Sequence, residues 1–208
     1  MSSMRPSTGS RLSAYTDAVF AVIITIMVLE LRPPASPTFA ALLALWPTVV
    51  SYVVSYVFIA IIWINHHYLM GYVKAPTLRL IWLNFGHLFF VSLLPFTTAW
   101  IARTELSSVP VIVYAALFVV TDGAYNLFER EILRGSTEFS SDEYRHVRRR
   151  SLIALGLFAV GLALSIIQPL VGFGFICLAL ALHLQPDAAP WNRVRNRKRA
   201  RPVHGGDE

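Results

Sequence analysis

The sequence predicts an all-α, polytopic membrane protein with six transmembrane helices per chain. Three observations carry that reading. First, 55% of the 208 residues are hydrophobic and only 14% are charged, where a soluble domain is about a quarter charged. Mean hydropathy is correspondingly high, at +0.56. Second, apolar runs close to the roughly 20 residues that cross a hydrocarbon layer recur along the chain. Third, with six spans, sixteen of the 18 Lys and Arg side chains fall on one face of the membrane. Cytoplasmic loops carry the excess of Lys and Arg. Both termini are therefore expected in the cytoplasm, with only Arg32 and Arg103 outside.

Residues 1–12 are polar, with Arg5, Pro6 and Gly9, and read as a cytoplasmic tail. Residues 13–184 form the six-span domain. The first span covers 13–31, about 28 Å at 1.5 Å per residue. RPPASP at 32–37 ends it, because prolines lack the N–H that a helix needs. A cleaved signal peptide over 1–30 is the competing reading. It fits poorly, because Asp17 interrupts the approach to the apolar run and Glu30 and Arg32 follow it. The second span covers 39–64 and holds Pro47 as an expected kink near its start. WINHHYL (63–69) follows it, then a loop with Gly71, Lys74 and Pro76. The third span, 78–101, carries Asn84, His87 and Pro95. The fourth, 109–127, carries Asp122 and Asn126 at i, i+4. Residues 128–150 form the longest hydrophilic segment before the tail. The fifth and sixth spans, 151–167 and 170–184, are short, and one bent re-entrant segment is the alternative for that pair. Residues 185–208 are a basic cytoplasmic tail containing RVRNRKRAR.

Composition also excludes functions. The single cysteine, Cys177, lies in an apolar run and permits neither an internal disulfide nor a zinc cluster. There is no G-x-S-x-G, H-E-x-x-H or G-K-[ST]. An enzyme is not expected, nor a metal site, nor a cofactor. In isolation the basic tail resembles a nucleic-acid patch. Beside six spans it reads as an anchor to anionic lipid head groups, with no nucleic acid implied.

The first span carries the functional reading. Ionisable groups in a span are costly and face a bundle interior or a water-filled path, so Asp17 points to a conduit. From Ala18 to Leu29 the only polar side chain is Thr25. Asp17, Ala18, Val22, Thr25, Ile26 and Leu29 step by threes and fours and share one helical stripe. If copies of this helix meet on an axis, Val22, Ile26 and Leu29 form apolar rings that gate by dewetting, and a ring of Thr25 hydroxyls can coordinate a cation. The same spacing also suits ordinary helix packing. Asp17 is expected to hydrogen-bond His87, Asn84 or the His66/His67 pair, as a lock between the first three spans. Arg11, six residues earlier, is too far for an i, i+4 pair. His66 and His67 admit three roles: metal ligand, proton relay or hydrogen-bonding interface. Adjacent side chains point about 100° apart on a helix, which disfavours a shared metal. Glu30, at the outer end of the first span, is either an ordinary interfacial charge or, with copies of the helix around a pore, a group that draws cations to its mouth.

RLSAYTD (11–17) resembles the RxxxFSD signature of the transmembrane protein 175 family, the lysosomal potassium channel and its bacterial relatives. AVFAVIITIMVLEL, which follows it, resembles the family's first helix, and WINHHYL resembles a further family motif. Tyr15 stands where Phe is usual and Thr16 where Ser is usual; each keeps the chemistry of its site. The resemblance implies a homotetrameric cation channel in the cell membrane, with potassium as permeant ion. It implies a pore lined by Val22, Thr25, Ile26 and Leu29, Val22 being the constriction nearest the cytoplasm. Arg11, Tyr15, Thr16, Asp17, His66, His67, Asn84 and His87 would form the signature polar network. A second function class is a proton-coupled secondary transporter relaying protons through Asp17, His87 and Asp122. Such carriers tend to show internal repeats and broken helices. The chain shows no convincing repeat, and no Gly or Pro occurs between residues 13 and 31.

Overall fold

The computed structural model describes residues 8–136 and 140–183. Expectations that fall on Arg5 and on the basic tail lie outside the described residues. Those residues form eight helices: α1 (Thr8–Leu29), α2 (Phe39–Leu43), α3 (Trp46–Met70), α4 (Leu78–Ser92), α5 (Leu94–Arg103), α6 (Ser108–Gly135), α7 (Ser141–Ile167) and α8 (Pro169–His183). No strand occurs among the described residues.

The boundaries follow the caps. Thr38 accepts from the Ala41 N–H at 3.2 Å to open α2, and Thr77 accepts from the Leu80 N–H at 3.1 Å to open α4. Each threonine satisfies an amide that has no intrahelical partner. Ser140 and Glu143 form a reciprocal capping box at the start of α7. Two boundaries differ from the sequence reading. The expected second span is divided into α2 and α3, and Pro47 sits in the first turn of α3 instead of kinking a continuous helix. Proline needs no amide partner there. α3 also continues to Met70, so WINHHYL is helical. The expected third span is interrupted at Leu93, between α4 and α5, with Pro95 in the first turn of α5. The hydrophilic stretch 128–150 is divided between the end of α6 and the start of α7.

Five segments are long and apolar enough to cross a membrane: α1, α3, α4 with α5, α6 and α7. α8 is shorter, with 15 residues. At 1.5 Å per residue its described part rises about 22 Å. It folds back on α7 through small residues. A Cβ on Gly172 would sit 2.5 Å from the Ser165 Cα, so the α7 and α8 backbones approach closely there.

α3 and α6 hold the centre. Phe58 stacks on Phe118 with centroids 3.8 Å apart, and Phe158 of α7 meets Phe58 edge-on at 5.4 Å. A polar relay crosses this core. Thr98 donates to the Leu94 carbonyl at 2.7 Å, which leaves its oxygen to accept from Ser55, and Ser55 in turn accepts from the Tyr114 hydroxyl, each at 2.7 Å. The relay ties α6, α3 and α5 together and ends on a carbonyl, so each of its three hydroxyl protons has an acceptor.

α5 ends in a Schellman motif. The Leu106 N–H donates to the Ile101 carbonyl at 3.0 Å and the Glu105 N–H to the Ala102 carbonyl at 3.4 Å. Glu105 has φ 49° where glycine is usual, and Leu106 has φ 62°. Leu106 and Ile101 are both buried in one apolar cluster, which holds the left-handed turn in place.

At the other end of the molecule, Gly9 anchors α1 to the α3–α4 loop. A Cβ there would lie 2.2 Å from the Val73 carbonyl oxygen, whereas one on Gly86 would meet nothing within 4 Å. Backbone cannot yield as a side chain can. Gly9→Ala is expected to destabilise the protein by about 1–3 kcal/mol. Gly86→Ala is expected to be neutral or stabilising, because alanine is the better helix former by about 1 kcal/mol. Thermal unfolding of the two purified variants against the parent checks both.

Candidate pore helix and its polar anchor

α1 has two unlike faces. Thr16, Phe20, Ile23 and Met27 step by four, three and four and are buried against α3, α4 and α5. On the other side Val22 is 55% exposed, Ile26 44% and Leu29 81%, and Ala18, Ala21 and Thr25 are exposed with them. The candidate stripe is therefore uncovered in a single chain. Ile26 also borders an open groove against α5, formed with Ser92, Phe96, Trp100 and the Glu30–Arg103 pair. Thr25 Oγ1 donates its proton to the Val22 carbonyl at 2.7 Å. The hydroxyl then presents only lone pairs outward, which suits it to accept a cation and not to donate to an anion.

The buried face is held by a second polar relay. Thr16 Oγ1 donates to the Leu12 carbonyl at 3.0 Å. It accepts from Asn84 Nδ2 at 3.0 Å, while Asn84 Oδ1 accepts from His66 Nε2 at 2.7 Å. Thr16 and Asn84 are fully buried and His66 nearly so. The relay joins α1, α4 and α3 and again ends on a helix carbonyl. His66 also lies parallel to the Phe128 ring with centroids 4.6 Å apart, which fixes its plane.

Asp17 has a hydrogen-bond donor outside the expected set, while one expected residue, His67, lies nearby. The Trp63 indole N–H donates to its Oδ1 at 2.8 Å, and His67 Nδ1 lies 3.8 Å from the same oxygen. Thr16, not Asp17, reaches Asn84. Neighbouring side chains on a helix point about 100° apart, so only one of the pair can face the core. The uncharged one does, since burying an unpaired carboxylate is far costlier than burying a hydroxyl. Trp63 was the missed residue. Its i, i+4 spacing to His67 puts both on one face of α3, and that was the readable signal.

The other candidates scatter. Arg11 is exposed, and Tyr15 is half-exposed with its ring 5.4 Å from Phe85. His87 is buried and donates from Nδ1 to the Thr121 carbonyl at 3.2 Å. Asp122 accepts from Asn126 Nδ2 at 3.2 Å. Asp17, His87 and Asp122, the proposed proton relay, do not hydrogen-bond one another among the described residues. Asn126 is one member of a buried α6–α7 cluster that sequence reasoning missed. Arg148 donates to Glu129 Oε1 at 2.9 Å and to the Asn126 carbonyl at 3.0 Å, and Ser151 donates to Glu129 Oε2. Cys177 is half-buried in α8. Among the described residues no group of three or more His, Cys, Asp or Glu could hold a metal.

Known proteins resemble this chain in sequence and fold. The family described as the endosomal/lysosomal potassium channel TMEM175 matches residues 11–95, which span α1 to the start of α5. A potassium channel of Chryseobacterium sp. (strain P1-3) is 35% identical over 181 residues, covering 86% of this chain and 94% of that protein. The endosomal/lysosomal proton channel TMEM175 of Danio rerio is 27% identical over 207 residues, covering 86% of this chain but 40% of the larger protein. Among solved structures, the crystal structure of a lysosomal potassium-selective channel TMEM175 homolog from Chamaesiphon minutus superposes with a TM-score of 0.76. It does so at 25% identity, over 85% of this chain and 96% of that one. The motif-bearing first three spans, the relative matched over nearly its whole length and the shared helical fold agree: this chain belongs to the TMEM175 family.

Proposed function

We propose that the chain is one subunit of a potassium-permeable cation channel in the cell membrane. Conduction is passive and runs through a homotetrameric pore lined by α1. Potassium is the permeant ion and no cofactor takes part. The observation that carries this reading is the division of α1 into a packed face and an uncovered one. Other helices also leave apolar faces bare, but α1 aligns Val22, Ile26 and Leu29 with a hydroxyl and with Ala18 and Ala21, a slim surface that lets copies of the helix approach one another. Apolar rings with a single oxygen layer form a hydrophobic gate in which Thr25 helps a cation part from its water. With α8 as a short sixth crossing, both termini would lie in the cytoplasm, where the basic segments would meet anionic lipid.

The polar relay through Thr16 gives this pore its rigidity. It holds α1 against α3 and α4, so the uncovered face keeps its angle to the axis. Potassium flux into proteoliposomes tests the function. A potassium gradient alone is expected to drive uptake, at a rate unaffected when the proton gradient is collapsed. Uptake that vanishes with the proton gradient would assign the chain to the coupled carriers instead.

A further inference from the structure

We propose that Arg103 sets the electrostatics of the outer pore mouth by neutralising Glu30, so that Arg103 limits cation throughput. The proposal rests on the pore reading above. Glu30 follows directly on Leu29, the last residue of α1 and the most exposed of the candidate ring positions. Left to itself its carboxylate would raise the local concentration of cations. It is not left to itself. Arg103 Nη2 donates to Glu30 Oε2 at 2.5 Å. Arg103 is the last residue of α5, and the Schellman turn through Glu105 and Leu106 fixes the helix end that carries it.

The surroundings reinforce the balance. Glu30 and Arg103 line the groove that Ile26 of the uncovered stripe borders, and behind them, on the packed side of α1, they share a cavity of about 280 Å³ with Arg32 and Glu105. The groove beside the stripe thus holds one acid and one base, and loss of either partner tips it by one charge per subunit. Both side chains of the pair are about half exposed. Such a pair contributes little to stability. Its larger effect is on the field that an approaching ion meets.

The test is a charge cycle in planar bilayers with Arg103→Gln, Arg103→Lys, Glu30→Gln and the double variant Glu30→Gln/Arg103→Gln. In about 10 mM potassium, where the screening length is about 30 Å, Arg103→Gln is expected to raise conductance about twofold or more. Glu30→Gln, which leaves the arginine unopposed, is expected to lower it. Arg103→Lys and the double variant return to the parent value. At about 1 M salt, with a screening length of about 3 Å, all five proteins converge. A merely structural pair would give losses of the same sign in both single variants at every salt concentration, and that result overturns the proposal. An unchanged Arg103→Gln conductance, while a bulky residue at Val22 still blocks the channel, overturns it and leaves the pore reading intact. If neither change affects conductance, the pore reading fails first.

Discussion

Val22→Trp is expected to cut potassium flux at least about tenfold, the equivalent of about 1.4 kcal/mol on the barrier. Val22 is the first of the three apolar positions on the uncovered face of α1, and in the proposed tetramer four indoles brought to one level would fill a narrow ring. The side chain points away from the bundle, so the variant should still fold and assemble. Val22→Ala should keep or raise the flux. The opposite chemistry is informative at Leu29. Leu29→Asn replaces a dewetting surface with one that holds water, and the expected result is a higher flux that distinguishes sodium from potassium less well. Tracer flux with parallel gel filtration separates a blocked pore from a lost tetramer. Unaltered flux in Val22→Trp and Leu29→Asn would count against α1 as the pore lining.

The second large effect is expected from Asn84→Leu. The two side chains are close in size, so little packing is lost. What remains is a His66 N–H buried with no acceptor and a Thr16 oxygen without its donor. An unsatisfied buried donor costs about 1–3 kcal/mol, a large fraction of a typical total stability of about 5–15 kcal/mol. Asp17→Asn should cost less, because the amide oxygen can still accept from Trp63 and the side chain is only partly buried. Unfolding of the purified proteins in mixed micelles is expected to rank parent, Asp17→Asn and Asn84→Leu in falling order. A reversal of the last two would mean that the carboxylate, and not the amide, locks the first helix.

How far the sequence could be read depended on the kind of signal. Composition and the Lys/Arg pattern were enough for a membrane protein of many helices, because hydrocarbon admits few ways to satisfy backbone groups. The stripe from Asp17 to Leu29 was legible as a period. Which face of α1 would be covered was not, since Phe20, Ile23 and Met27 repeat just as regularly as Val22, Ile26 and Leu29. The proline positions were visible, but Pro47 and Pro95 both begin helices that a hydropathy run joins to their predecessors. The role of Thr16 as the inward hydroxyl, ahead of Asp17, depended on a rotation of about 100° that only tertiary packing fixes. The pairing of Glu30 with Arg103 was the least accessible. It spans 73 positions of sequence and closes only when α1 and α5 end at the same level.

Cysteine scanning along α1 tests the account most directly. The sole native cysteine, Cys177, can be replaced by serine to give a silent background. Single cysteines at residues 20, 22, 23, 25, 26, 27 and 29 are then exposed to a charged, water-borne thiol reagent during potassium flux. Block is expected at residues 22, 25, 26 and 29, and none at 20, 23 and 27. Block at the second set, or at none of the seven positions, would contradict an ion path along the uncovered face of the first helix.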